Sequence, residues 1–255
     1  MLIVVSPAKR MNENEAQKPT GTTPDFLEER DALLKAARKL KPAALEKLMK
    51  ISPALAALNV ERYGVIGSGA GEKRAIDLYA GDTYAGLEAT TMDDAALDFA
   101  QAHLRILSGL YGLLRPCDLI EPHRLEMGTR LKVGRKKSLY EFWGDKIALK
   151  LNDAAQEIGT NTLINCASVE YFTAADRKAL SLRVITPVFF ETRKSETKII
   201  SFFAKKARGA MARFICEGRI TDPKQLCEFE AGGYEFQPDQ STEERPVFLR
   251  PESAT

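Results

Sequence analysis

Histidine is nearly absent from this sequence: His103 and His123 are the only two in 255 residues. The four cysteines, Cys117, Cys166, Cys216 and Cys227, form no C-x-x-C pair. Structural zinc sites commonly use such pairs, other zinc sites draw on several histidines, and ferritin-like iron sites use Glu-x-x-His on facing helices, so no metal or other cofactor is expected. No apolar run is long enough to cross a bilayer. The opening run, Met1 to Val5, is too short for a signal peptide and no basic residue precedes it. The chain therefore reads as a cytoplasmic protein without a membrane partner, its cysteines reduced and acting as small hydrophobes. The sharper alternative for Cys117, beside Pro116 and Asp118, is a redox-sensing thiol. Excess charge is also missing. The formal net charge is only +2, so attraction for an anion must come from local clustering.

What remains is an ordinary globular composition, 44% hydrophobic and 28% charged, in a chain long enough to bury a core without staples. No repeat or linker divides it, so residues 1–255 are expected to form a single domain. Apolar Leu2 to Val5 reads as a buried strand ending in the turn Ser6-Pro7-Ala8-Lys9. Polar residues 12 to 24 read as a loop, and Asp25 to Leu40 as a helix broken by Lys41-Pro42. Two short helices follow, Ala43 to Met49 and Pro53 to Arg62. They are joined at Lys50-Ile51, and the second is capped by Ser52 and started by Pro53. Glu72 to Tyr79 and Asp93 to Ile106 read as helices around a Gly81-Asp82-Thr83-Tyr84 turn. Ser108 to Gly128, dense in Gly, Pro, Arg and carboxylates, reads as an ordered loop. Glu141 to Ile158 reads as a helix and Thr162 to Cys166 as a strand. Arg183 to Glu191 reads as a longer strand with Ser195 to Ile200 as its hairpin partner. Phe202 to Glu217 reads as a helix, and Tyr234 to Arg250 as two short strands. The whole is α+β, a mixed sheet surrounded by helices.

Four segments carry candidate chemistry. On the helix from Phe202, apolar side chains share one side while Lys205, Lys206, Arg208 and Arg213 share the other, with Gly209 among them. No carboxylate neutralises these bases until Glu217, and a glycine in a helix costs about 1 kcal/mol relative to alanine. Both features suggest close approach of an anion, although most such helices are merely solvated.

The turns after two strands, Ser6 to Lys9 and Asn165 to Tyr171, form the next pair. Were those strands parallel neighbours, Lys9, Asn165, Ser168, Glu170 and Tyr171 would face one crevice beyond their carboxyl ends. Ser and Asn also serve routinely as turn formers and caps. The third segment is Arg115 to Gly128, where three prolines impose rigidity. Arg124 can hold a phosphate or carboxylate, with Glu126 as its partner or as an acid–base group. An Arg–Glu pair can equally be structural. The fourth is the helical pair around Lys50. It has the form of a helix-hairpin-helix, whose turn and second-helix N-terminus hold a DNA phosphate, with Lys47 and Lys50 supplying charge. It lacks the usual hairpin glycines, and two ordinary packed helices look much the same.

Together with further motifs, these segments resemble the YaaA peroxide-stress family of bacterial cytosolic proteins. The resemblance is carried by Ser6-Pro7-Ala8-Lys9, Leu48-Met49-Lys50-Ile51-Ser52, Gly81-Asp82-Thr83-Tyr84 and the run His103 to Pro116. It continues through Arg124-Leu125-Glu126-Met127-Gly128, Leu139-Tyr140-Glu141-Phe142-Trp143, Asn165 to Tyr171, and Ala204-Lys205-Lys206-Ala207-Arg208-Gly209. It implies a protein that helps bacteria survive hydrogen peroxide by limiting free iron and DNA damage. It further implies a mixed α/β fold with a basic cleft and a helix-hairpin-helix able to bind double-stranded or distorted DNA. Small departures, such as Cys117 where leucine is common and His123 where tyrosine is, leave the charged groups intact.

DNA binding is thus the first expectation, through Lys9, Lys47, Lys50, Ser52, Arg115, Arg124, Lys205, Lys206, Arg208 and Arg213. The second is an enzyme acting on a nucleotide or other phosphate-bearing small molecule in a pocket of Ser6, Asn165, Ser168, Glu170 and Tyr171. Glu126, Glu170 and Lys9 are its candidate catalytic groups. Direct iron binding ranks last.

Overall fold

A computed structural model of the chain describes residues 1–14, 20–193 and 196–252. Residues 15–19 of the expected loop and Ser195 at the start of the expected hairpin strand lie outside the described residues. The first half runs β1 (Leu2–Val5), β2 (Arg10–Met11), α1 (Leu27–Ala37), α2 (Pro42–Met49), α3 (Pro53–Val65), β3 (Lys73–Arg74), α4 (Ala75–Leu78), β4 (Tyr79–Ala80), α5 (Asp82–Leu87) and α6 (Asp94–His103). Next come β5 (Leu104–Ser108), β6 (Gly112–Leu114), β7 (Leu119–Ile120), α7 (Leu139–Trp143), α8 (Lys146–Glu157), β8 (Thr162–Cys166) and α9 (Val169–Phe172). The chain ends with β9 (Arg183–Ile185), β10 (Val188–Arg193), β11 (Glu196–Lys198), α10 (Ser201–Glu217), β12 (Glu235–Phe236) and β13 (Val247–Arg250).

The architecture is mixed α and β, built on two sheets. The larger has the order β6-β5-β1-β8-β9. Strands β5, β1, β8 and β9 are parallel, and β6 returns antiparallel to β5. Both neighbours of β1 are parallel and helices cover the faces, so Leu2-Ile3-Val4-Val5 is buried throughout. This explains its unbroken apolar run, since a strand buried on both faces has no polar side to alternate. Each of these side chains contributes about 1.5–3 kcal/mol on burial. The smaller sheet has the order β11-β10-β13-β12 and packs Phe189, Phe229, Tyr234 and Phe248 together.

Several expected elements are divided. The helix expected over Asp93–Ile106 is capped by the Asp93 carboxylate, which accepts from the Ala96 N–H at 2.7 Å, but it stops at His103. Leu104 to Leu107 then form buried β5, a segment too short for its period to distinguish a strand from a continuing helix. The helix expected over Glu72–Tyr79 is one turn, α4, between two-residue strands. The Gly81–Tyr84 turn is the start of α5. Gly144, at φ +51°, divides the helix expected over Glu141–Ile158 into α7 and α8. The strand expected over Arg183–Glu191 breaks at Thr186-Pro187, where the chain passes from one sheet to the other. Proline has no N–H for the ladder, which explains the break. The loop expected over Ser108–Gly128 contains β6 and β7.

Helix α10 meets β1 and β8 of the larger sheet and β10 of the smaller. Its Gly209 is buried rather than solvent-facing: a Cβ there would lie 1.8 Å from the Thr83 carbonyl oxygen. Gly86 does the same from the other side, 2.0 Å from the Lys206 carbonyl. The close approach at Gly209 is therefore made by α5, backbone to backbone.

Candidate functional site

Strands β1 and β8 are parallel neighbours, with Val4 opposite Asn165 and Val5 opposite Cys166. Their following turns therefore meet beyond the carboxyl ends. The Ser168 N–H donates to Ser6 Oγ at 2.9 Å, and the two hydroxyls lie 3.3 Å apart. The chain leaves β1 toward β5 and leaves β8 toward β9, on opposite sides, so this junction is a switch point of the sheet. Ligand crevices of open α/β sheets form at such points.

One crevice there is lined by Pro7, Lys9, Tyr79, Ser108, Arg124, Glu126 and Tyr171 among others. Glu126 is its electrostatic centre. It accepts from Lys9 Nζ at 2.7 Å on one oxygen and from Arg124 Nη2 at 2.8 Å on the other. Burial alone raises the Glu126 carboxyl, but hydrogen bonds and charge from Lys9 and Arg124 overcome it and hold the group below its ordinary value. Burial and neighbouring Glu170, Tyr79 and Glu126 push the Tyr171 phenol well up, so it remains a neutral hydroxyl.

Beneath this crevice lies a buried polar network of residues outside the expected site. His123 Nδ1 faces the Glu121 carbonyl at 2.9 Å. That oxygen can only accept, so the proton sits on Nδ1 and Nε2 accepts from the Tyr79 hydroxyl, 3.4 Å away. Tyr111 O–H and Gly67 N–H donate to the two Glu121 carboxylate oxygens at 2.8 and 2.7 Å. Desolvation lowers the His123 pKa from 6.5 to about 4. The unfolded imidazole takes a proton near 6.5 while the folded one stays neutral to about 4. His123 therefore costs no stability above that window and progressively more as the pH falls through it. Between roughly pH 8 and pH 5 the loss is about 2 kcal/mol. Urea unfolding of wild type and His123→Gln at both pH values should differ by this pH-dependent amount, and parallel curves would refute it.

The other candidates are dispersed. Asn165 and Arg208 line a separate groove with Ala167, Val169 and Thr186. Glu170 turns back to accept the Gly128 N–H at 3.0 Å. Arg115 is occupied: it pairs with buried Asp118 at 3.0 Å and donates to the Thr23 carbonyl at 2.7 Å. Arg213 is likewise engaged with Glu217, the Glu88 carbonyl and Thr91. Lys205 and Lys206 are exposed, and Lys206 borders a different groove with Arg213 and Phe214. Burial pushes the Cys117 thiol up despite nearby Arg74, the opposite of what a redox-sensing thiolate requires. Cys166 and Cys216 are buried and Cys227 is exposed, and all four are free thiols.

Helices α2 and α3 pack together across a tight turn in which Lys50 adopts the left-handed conformation, φ 53°. Ser52 caps α3 by accepting from the Leu55 N–H at 3.4 Å. Lys47 and Lys50 are exposed. Tyr63 of α3 donates its hydroxyl hydrogen to the Arg124 carbonyl, which ties the helical pair to the crevice loop. Among the described residues, no group of three or more His, Cys, Asp or Glu could hold a metal ion. No described helix is long and apolar enough to cross a membrane.

These features define a mixed α/β protein with a charged polar crevice at a sheet switch point. The family profile described as "Peroxide stress protein YaaA" matches residues 1–240, and the chain belongs to this peroxide stress protein family. A UPF0246 protein of Jannaschia sp. (strain CCS1) is 54% identical over 255 residues, covering 100% of this chain and 98% of its own. One from Cereibacter sphaeroides (strain KD131) is 57% identical, covering 98% of this chain and 99% of its own. A third, from Ruegeria pomeroyi, is 54% identical with the same coverage.

Proposed function

We propose that this protein acts in peroxide stress by binding double-stranded or structured DNA through the α2–α3 hairpin and the adjoining crevice, helping to limit iron-dependent damage to that DNA. The observation that carries the reading is the Tyr63–Arg124 hydrogen bond. It couples a hairpin bearing exposed Lys47 and Lys50 to the loop bearing Arg124, which shares Glu126 with Lys9. A phosphate at the Ser52 cap would meet the N-terminus of α3, with Lys50 beside it. Fluorescence anisotropy of labelled duplex and bubble DNA across a salt series tests this. Lys50→Glu is expected to weaken binding at least about tenfold and to reduce the salt slope by about one. Feeble wild-type binding, or binding unchanged by Lys50→Glu, would overturn the proposal.

A second reading is favoured by the Ser6–Ser168 junction. Ligands gather at switch points, and Lys9 and Glu126 would serve there as charge-stabilising or proton-transferring groups on a nucleotide or another anionic small molecule. Turnover of nucleoside phosphates that disappears in Lys9→Ala would support it. An inert screen would leave DNA binding as the function of this face.

A further inference from the structure

Arg208 is the cation left over. It projects from α10 into the groove between the two sheets, and the pairings described above do not use it. Among the described residues no carboxylate pairs with it and no hydrogen bond engages its guanidinium. Desolvation lowers its pKa, so the group is held charged against the preference of its surroundings. A part-buried charge normally has a partner, and here the partner position opens onto a groove of about 260 Å³.

The chemistry around that space favours an oxyanion. The Asn165 amide is oriented by two bonds: its oxygen accepts from the Ala167 N–H at 3.0 Å, and its nitrogen donates to Thr186 Oγ1 at 3.3 Å. That orientation leaves the second amide hydrogen, the Thr186 hydroxyl hydrogen and the Arg208 fork as donors in one groove. Apart from Thr173 and Asp176, the rest of the groove is apolar. Val169 and Ile199 contribute exposed walls, at 84% and 52% of their free surface, beside Phe172. An apolar wall left open next to a desolvated arginine fits a ligand with an anionic head and a flat, apolar body. Exposed Asp176 at the rim adds an acceptor for hydroxyl or amino groups of that body.

We propose that this groove is a binding site for a small phosphate-bearing molecule of the nucleoside monophosphate class, with Arg208 taking the phosphate and the Val169–Phe172–Ile199 wall taking the base. The proposal is independent of DNA binding at the hairpin, since no hairpin residue lines the groove. It also lies beside, rather than in, the Lys9–Glu126 crevice.

Isothermal titration of the full chain with AMP and GMP, against adenosine, guanosine and inorganic phosphate, tests it. Saturable binding of a monophosphate is expected, with its nucleoside and phosphate alone each at least about tenfold weaker. Arg208→Gln should weaken the monophosphate at least about tenfold. Val169→Asp, at an exposed position that leaves folding intact, should weaken it comparably, while Lys50→Glu should leave it unchanged. No monophosphate binding, or binding indifferent to both groove variants, would overturn the proposal. So would a groove that instead takes duplex DNA, seen as DNA affinity lost in Arg208→Gln and Val169→Asp without any monophosphate binding.

Discussion

Gly209→Ala is expected to destabilise the protein by about 2 kcal/mol or more, although the same change in an exposed helix would stabilise it by about 1 kcal/mol. Two effects compete. Alanine loses less backbone entropy than glycine on entering a helix, which favours the variant. Against this, the new Cβ would sit 1.8 Å from the Thr83 oxygen, 2.8 Å from its carbonyl carbon and 2.9 Å from the Leu87 nitrogen. All three are backbone atoms, so no side-chain rotation relieves the clash and α5 must move away from α10. Because α10 spans both sheets, that movement loosens contacts with each of them. Steric cost wins. Urea unfolding should show a lower midpoint for Gly209→Ala and likewise for Gly86→Ala, whose Cβ would meet the Lys206 carbonyl. A stabilised Gly209→Ala would mean that α5 and α10 are not in backbone contact.

This position also shows how far the sequence could be read. The glycine on α10 was a sound sign of close approach, but a helical wheel cannot tell solvent, ligand and neighbouring helix apart. Partner identity is a tertiary fact carried by Gly86, distant in the chain. Elements with local signals were legible. The Ser52-Pro53 cap, the apolar run of β1 and the long amphipathic α10 all lie within a few residues of their expected bounds. Elements whose signals conflict were not. Buried β5 follows α6 with no glycine or proline to mark the boundary, and the alternation of Arg183 to Glu191 passes through Pro187 although the two halves belong to different sheets.

The candidate site was legible in the same partial way. The turns after β1 and β8 do meet, because their strands pair in parallel. Lys9, Arg124 and Glu126 come together through long-range folding around that junction. Asn165 lies one groove away, because its side chain turns toward Thr186 at the passage between sheets. The pairing of Arg115 and the lack of a carboxylate partner for Arg208 among the described residues are equally invisible in sequence: both are arginines among basic or polar neighbours. What separates them is a buried aspartate beside one and an open groove beside the other.

The second large effect concerns the smaller sheet, whose β10 supplies Val188 and Phe189 to the groove that Arg208 enters. Glu191, only 1% exposed, sits in this sheet and accepts from Arg250 Nε and Nη2 at 2.8 and 2.7 Å. Tyr234 donates its hydroxyl hydrogen to the other carboxylate oxygen. Arg250 also lies over the Phe203 ring at 4.2 Å, so it contributes both charge and packing. Removing one partner of a buried ion pair costs about 3–5 kcal/mol, chiefly because the remaining charge has lost its counterion. Arg250→Met is therefore expected to lower stability by that amount, a fall in melting temperature of roughly 6–20 °C for a chain of this size. The double variant Arg250→Met/Glu191→Gln separates the two contributions. Glutamine removes the stranded charge and keeps an oxygen to accept from Tyr234, so it should restore half or more of the loss. Recovery in thermal melts would assign the damage to the uncompensated carboxylate. A double variant as unstable as Arg250→Met would assign it to the lost stacking on Phe203, and the Glu191–Arg250 pair would then be a consequence of packing rather than what holds the smaller sheet together.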